Sequence, residues 1–272
     1  MAIRRVGPPP EVASAVIARW PDLGPQWCDQ VGDELTKLCT TYNAVPASVF
    51  HSRYGLVVEV RTKKSVLVMR SSPDPDGPLQ AAVLTSLAAL GVAPALYEVV
   101  ETQTAIWTVS ERILPGTSLY DIRASVRDLA RMLTPLRDQP APLAGMPPLA
   151  DWLRSRLLAD ELVDLAPGRS VAPLDQRQNG LRLLAELAAG CPRALCHGDP
   201  SRGNVLVSGD DRLLLIDPRG VCGDLAYDVA LAAVKTAEDD PPMPRLAELA
   251  RLVGCDAERA HAWSVVADAA RV

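Results

Sequence analysis

The chain has 272 residues, 48% of them hydrophobic, with a formal net charge of -5 and an isoelectric point near 5.3. This is enough apolar content for a substantial core in one large or two modest domains, while the acidic balance argues against nucleic acid as a main partner. No apolar run approaches the roughly 20 residues needed to cross a bilayer, and the two arginines near Met1 precede no apolar leader core, so a cytoplasmic protein without a membrane partner is expected.

In chain order, residues 11–20 and 27–40 carry helical periodicity interrupted by Pro21 and Pro25. Residues 46–50, 55–61 and 65–70 are Val-rich with polar breaks at Arg53 and Lys63-Lys64, the pattern of a small antiparallel sheet. After the turn-forming run Ser71 to Pro78, residues 79–90 read as a helix closed by Gly91, and 96–101 and 105–111 as two further strands. From about Ser118 the pattern is helical (119–138, 149–165, 175–189), and the chain closes with helices near 224–237 and 244–270. Asp224 and Asp256 are candidate N-caps there.

The six cysteines have neither C-x-x-C nor framework spacing, so they read as reduced packing residues, and three histidines leave little for zinc. Arginine far exceeds lysine, which occurs only at 37, 63, 64 and 235; this reads as codon bias. No 20–50-residue repeat is apparent.

The densest chemistry lies at Leu195-Cys196-His197-Gly198-Asp199-Pro200-Ser201-Arg202-Gly203-Asn204, followed by Ile216-Asp217-Pro218. His-x-Asp-x-x-x-x-Asn is the catalytic-loop spacing of protein-kinase-like enzymes, where the Asp takes the acceptor hydroxyl proton and the Asn holds Mg²⁺. Val205-Leu206-Val207 and Leu213-Leu214-Leu215-Ile216, joined by a polar turn, read as a hairpin whose ends bring Asn204 and Asp217 together. The plainer alternative is a structural turn, since Gly-Asp-Pro-Ser is turn chemistry in itself.

With Gly223-Asp224-Leu225-Ala226-Tyr227-Asp228 added, and Ser110 to Leu119 as a linking segment, the chain from about residue 45 resembles the aminoglycoside phosphotransferase family, most nearly its aminoglycoside/hydroxyurea resistance kinases, the streptomycin kinase group. The resemblance implies an α+β, two-lobed protein-kinase-like fold. Residues 1–113 would form a helical lead-in and an antiparallel-sheet N-lobe, and 114–272 a mostly helical C-lobe. It implies ATP and Mg²⁺ as cofactors and a hydroxylated small-molecule acceptor, for which the acidic surface would tolerate a cation. By position, Asp199 is the implied catalytic base, Asn204 and Asp217 the metal ligands, and the backbone of Ser110 and Arg112 the adenine-facing hinge. Arg202 either reaches the transferred phosphoryl group or stays solvated. His197, Asp224 and Asp228 read as bracing and capping residues. Trp152 and Trp263 read as core, or as lining of an acceptor cleft.

The departures are specific. The family's third-strand lysine falls at Val68, and its helix glutamate at Gln80. Losing both together leaves no orphaned buried charge, so the site is either rebuilt or retired. Arg70 shares the strand face of position 68 and is the better compensating cation; Lys64 lies farther off. There is no Gly-x-Gly-x-x-Gly and no P-loop. The leading expectation is an ATP-dependent phosphotransferase acting on an aminoglycoside-like or sugar hydroxyl. The alternative is a catalytically weak or inactive kinase-like binding protein.

Overall fold

The structure, a computed structural model, describes residues 5–165, 168–238 and 240–272; the Met1–Arg4 start read above for a leader lies outside them. The chain divides into two compact units, residues 1–81 with 94–112, and 82–93 with 113–272.

The first unit opens with helices α1 (Pro10–Arg19) and α2 (Gly24–Thr41). The second begins three residues earlier than its periodicity suggests, because Pro25 sits in the first turn, where its missing N–H costs nothing. Gly24 lets the helices touch: a Cβ there would lie 2.9 Å from the Ile17 Cα. Next come β1 (Val45–Phe50), β2 (Leu56–Arg61), β3 (Val66–Ser72), then β4 (Leu96–Glu101) and β5 (Ile106–Glu111), in a five-stranded antiparallel sheet of order β1-β2-β3-β5-β4.

Alternation along β3 explains the layering. Leu67, Met69 and Ser71 are buried, while Val66, Val68 and Arg70 are half-buried on the other face. The buried face meets Trp27, Val31, Leu35 and Leu38, spaced at helical intervals along α2. Two buried tryptophans fix this packing through their indole N–H groups. Trp27 donates to the Ser71 hydroxyl at 3.1 Å, and Trp107 to Glu34 Oε2 at 2.8 Å, while Thr104 donates to Glu34 Oε1 at 2.8 Å.

Helix α3 (Gly77–Ala89) starts in the first unit and continues into the second. The second unit contains β6 (Pro115–Ser118), α4 (Val126–Leu133), α5 (Leu149–Leu158), α6 (Leu174–Ala189), β7 (Ala194–Leu195), β8 (Val205–Ser208), β9 (Leu213–Leu215), β10 (Cys222–Gly223), α7 (Leu225–Lys235), α8 (Pro242–Val253) and α9 (Ala257–Ala269). The hairpin forms in the expected register, Val205 opposite Leu215, with β6 on its other side and the Val92 carbonyl accepting from the Leu215 amide at 2.7 Å.

Three helical expectations are shortened. Within 119–138 only α4 is a regular α-helix: Ser118 turns the chain through bonds from the Tyr120 and Asp121 amides, Ser125 caps the Asp128 amide, and Pro135 follows the last turn. The 149–165 helix stops at Leu158, where Ala159 turns extended and Arg177 takes up the Leu157 and Ala159 carbonyls. The 244–270 helix is two, divided at Gly254 in the left-handed conformation (φ 81°) and restarted by Asp256, which caps the Glu258 and Arg259 amides.

Candidate active site

The second unit builds its site from the loop His197–Asn204 and the strand exit Ile216–Arg219. Backbone bonds stitch the two together: Ile216 N–H donates to the Asn204 carbonyl and Arg219 N–H to the His197 carbonyl, each at 2.9 Å. His197 is fully buried between them. Its Nε2 lies 2.9 Å from the Ile216 carbonyl and its Nδ1 accepts the Asp199 amide at 3.2 Å, an arrangement that needs the neutral ring protonated at Nε2. Burial lowers its pKa, against the pull of Asp199, and its two ring bonds brace the loop.

Asp228, fully buried in the first turn of α7, holds the loop from below. Its Oδ2 accepts the His197 amide at 2.7 Å and its Oδ1 the Gly198 amide at 2.8 Å. Burial raises its pKa to about 6 against the opposing effect of those amides. Asp224 caps α7 through the Ala226 amide at 2.9 Å; its Oδ2 accepts Trp263 Nε1 at 2.9 Å and pairs with Arg259. Trp263, fully buried and edge-on to Tyr227, is core. Trp152 does a third thing: the Arg219 guanidinium lies over its ring, 5.0 Å from the centroid.

These contacts aim Asp199. Its Oδ2 meets Arg219 Nη2 at 3.0 Å and its Oδ1 meets Lys235 Nζ at 2.9 Å. Burial alone would push its pKa up, but the two cations outweigh it and hold the carboxyl at about 2. Gly198 makes the approach possible: it sits at φ 83°, and a Cβ there would lie 2.8 Å from the Arg219 Cβ.

Asn204 closes the loop by donating Nδ2 to the Asp199 carbonyl at 3.0 Å, which leaves its Oδ1 as the acceptor on the other side of the amide. Asp217 follows Ile216 directly and adopts a left-handed conformation (φ 57°), uncommon for a residue with a side chain. Asp199, Asn204 and Asp217 thus lie on two segments bonded to each other. Arg202 sits on the same loop, its carbonyl accepting from Leu119 N–H at 3.2 Å and its Nε buried without a hydrogen-bond partner among the described residues.

The remaining expected site residues lie in the first unit. Arg70 stands opposite Val57 and Thr108 on the half-buried sheet face; Ser110 is buried, opposite Val68 and Leu96. The Arg112 amide is 3.4 Å from the Val66 carbonyl, and its guanidinium binds Glu59 Oε2 at 3.2 Å and lies over Phe50. Val68, at the expected lysine position, thus neighbours a buried glutamate already paired with Arg112 and Arg61. Gln80 donates to Asp74 Oδ2 at 2.9 Å.

Sequence reasoning missed Arg219, Lys235 and Glu59. A signal existed for Lys235, one of four lysines in an arginine-rich chain, and it was absorbed into the reading of codon bias.

A five-stranded antiparallel sheet with a helix between its third and fourth strands in sequence, and a helical unit carrying a His-x-Asp loop and an Asp-bearing hairpin, define a kinase-like fold. The solved choline kinase LicA of Streptococcus pneumoniae shares it at a TM-score of 0.64, 16% identity, and 89% and 88% coverage of the two chains. The family model described as the phosphotransferase enzyme family matches residues 49–263, and the chain belongs to that family. Among curated proteins it is similar to streptomycin 3''-kinase of Klebsiella pneumoniae, 34% identical over 142 residues, 46% of this chain and 48% of that one. It is also similar to hydroxyurea phosphotransferase of Kitasatospora aureofaciens, 34% identical over 158 residues, 57% of this chain and 45% of that one. The chain spans about half the length of these relatives in each match.

Proposed function

We propose that the chain transfers the γ-phosphoryl group of ATP to a hydroxyl of an aminoglycoside-like antibiotic or a related sugar or small metabolite. The observation that carries the reading is Asp199, half-buried yet held ionised by two cations in the His197–Asn204 loop. The donor set also suits Mg²⁺. Among the described residues no cluster of three or more His, Cys, Asp or Glu side chains could hold a metal, whereas Mg²⁺ takes one or two protein oxygens and completes its shell with water and phosphates. Asn204 Oδ1 and the Asp217 carboxylate would hold it, and when bound it supplies positive charge against the phosphate oxygens.

Asp199 orients the acceptor. A carboxylate of pKa about 2 is too weak a base to ionise an alcohol outright; it accepts the hydroxyl hydrogen bond, points the oxygen lone pair at phosphorus, and receives the proton as the new bond forms. A loose phosphoryl-transfer transition state asks no more of the base. Arg202 adds charge beside the transfer path, and Arg70, Ser110 and Arg112 are the first-unit positions proposed to meet the nucleotide.

The replacement of the family's lysine and glutamate by Val68 and Gln80 supports a second reading, a kinase-like nucleotide- or small-molecule-binding protein with weak or no turnover. One experiment separates them: calorimetric Mg·ATP binding, with ADP release measured against streptomycin, hydroxyurea and a panel of amino sugars. Acceptor-stimulated release that falls by about 100-fold or more in Asp199→Ala supports transfer. Nucleotide binding without release supports the second reading, and no nucleotide binding removes the transfer reading.

A further inference from the structure

The geometry points to Lys235 as a catalytic residue that binds the transferring phosphoryl group, supplying a cation to it from helix α7. This rests on the phosphotransferase reading and names a component of it.

The argument starts from an imbalance at Asp199. One carboxylate needs one cation, and Arg219 already serves: its backbone is tied to His197, its guanidinium rests on Trp152, and Nη2 reaches Oδ2 at 3.0 Å. Lys235 is a second cation on the remaining oxygen, at 2.9 Å. Among the other groups, His197 accepts the Asp199 amide as a neutral ring, Asp228 has its oxygens on the His197 and Gly198 amides, and Asp164 and Asp217 act on Arg219, which leaves Asp199 as the carboxylate that Lys235 touches. Lys235 shares its carboxylate with Arg219, an arrangement that fits a site where a further anion arrives.

The two cations differ in kind. Arg219 is a planar fork resting on Trp152, whereas Lys235 is a point charge on a flexible stem leaving the last turn of α7. An acceptor oxygen hydrogen-bonded to Asp199 lies about 3 Å from the carboxylate, which puts Lys235 Nζ within about 6 Å of it before any torsion changes. During transfer the acceptor O–P bond forms while the bond from the γ-phosphorus to the β,γ-bridging oxygen breaks, its electron pair leaving with ADP. The acceptor proton passes to Asp199. Lys235 moves from Oδ1 to a non-bridging oxygen of the transferring group and neither gains nor loses a proton.

The test compares wild type, Lys235→Met and Lys235→Arg for turnover, for binding of Mg·AMP-PNP, and for binding of Mg·ADP with tetrafluoroaluminate as a mimic of the transferring group. The expected result for Lys235→Met is a fall in kcat of about 100-fold and a parallel loss of affinity for the fluoride complex, with Mg·AMP-PNP affinity and melting temperature retained. Lys235→Arg should recover at least about tenfold of the lost turnover. The assignment is overturned if Lys235→Met keeps kcat within about threefold, if its loss lies wholly in KM, if Arg rescues no better than Met, or if the fluoride complex binds both proteins equally. A wild type that binds neither nucleotide complex overturns the phosphotransferase reading itself, a failure visible in the calorimeter before any variant is made.

Discussion

Asp228→Asn probes the support beneath the His197–Asn204 loop. The carboxyl is raised from 3.8 to about 6, which amounts to about 3 kcal/mol against the ionised form. Because the folded chain holds this proton more tightly than the unfolded chain, the contribution is fully present below 3.8 and is lost as pH rises through about 6. Between pH 7 and pH 5 it stabilises the fold by about 1 kcal/mol. His197 works the other way: its pKa is lowered by burial, so acidification charges it in the unfolded chain first and stability is lost as pH falls. A pH series on the wild type alone would mix the two opposing effects. The informative quantity is the stability difference between wild type and Asp228→Asn, from urea unfolding at both pH values. At pH 7 the variant should lose about 1–3 kcal/mol, since its amide turns a donor toward the amides of His197 or Gly198. At pH 5 the gap should widen by about 1 kcal/mol. A gap that stays constant or narrows on acidification would refute the picture of a desolvated carboxylate holding the loop.

Gly198→Ala should cut turnover at least about tenfold while costing about 1–3 kcal/mol of stability, because the added Cβ meets Arg219 and the backbone is left-handed; rate assays and unfolding on the same samples check both. Asp224→Ala removes the α7 cap and the partner of Trp263 and Arg259 at once, and should cost about 3–5 kcal/mol by denaturant unfolding, with Asp224→Asn recovering part of the loss. In the first unit, Glu34→Ala strands the Trp107 indole N–H and the Thr104 hydroxyl, and should cost about 2–4 kcal/mol; near-ultraviolet circular dichroism of the tryptophans would report it.

Much of this was legible because it is local. The strands of the first unit alternate cleanly over Leu67, Met69 and Ser71, and the Asn204–Asp217 hairpin is bounded by its own turn residues, so both were readable within one or two residues. The failures came where distant contacts decide. Residues 119–124 have the composition of a helix, yet Pro115–Ser118 pairs with Val205–Ser208 and the Ser118 turn then takes the chain out of helical geometry. Gly254 divides a periodic stretch that pattern alone runs together. The pairing of Asp199 with Arg219 and Lys235 was hidden for the same reason, since a salt bridge between positions 199 and 235 leaves no spacing rule to read.

The Val92 carbonyl sealing the Leu215 amide has a practical corollary. Dissection of the gene at residue 113 would produce a fragment lacking residues 82–93, which fold with the second unit. The outer rim of the Leu213–Leu215 strand would then be uncapped, an apolar ribbon with open donors of the kind that recruits other chains. A soluble excised half must therefore carry those twelve residues back, grafted ahead of Ile113.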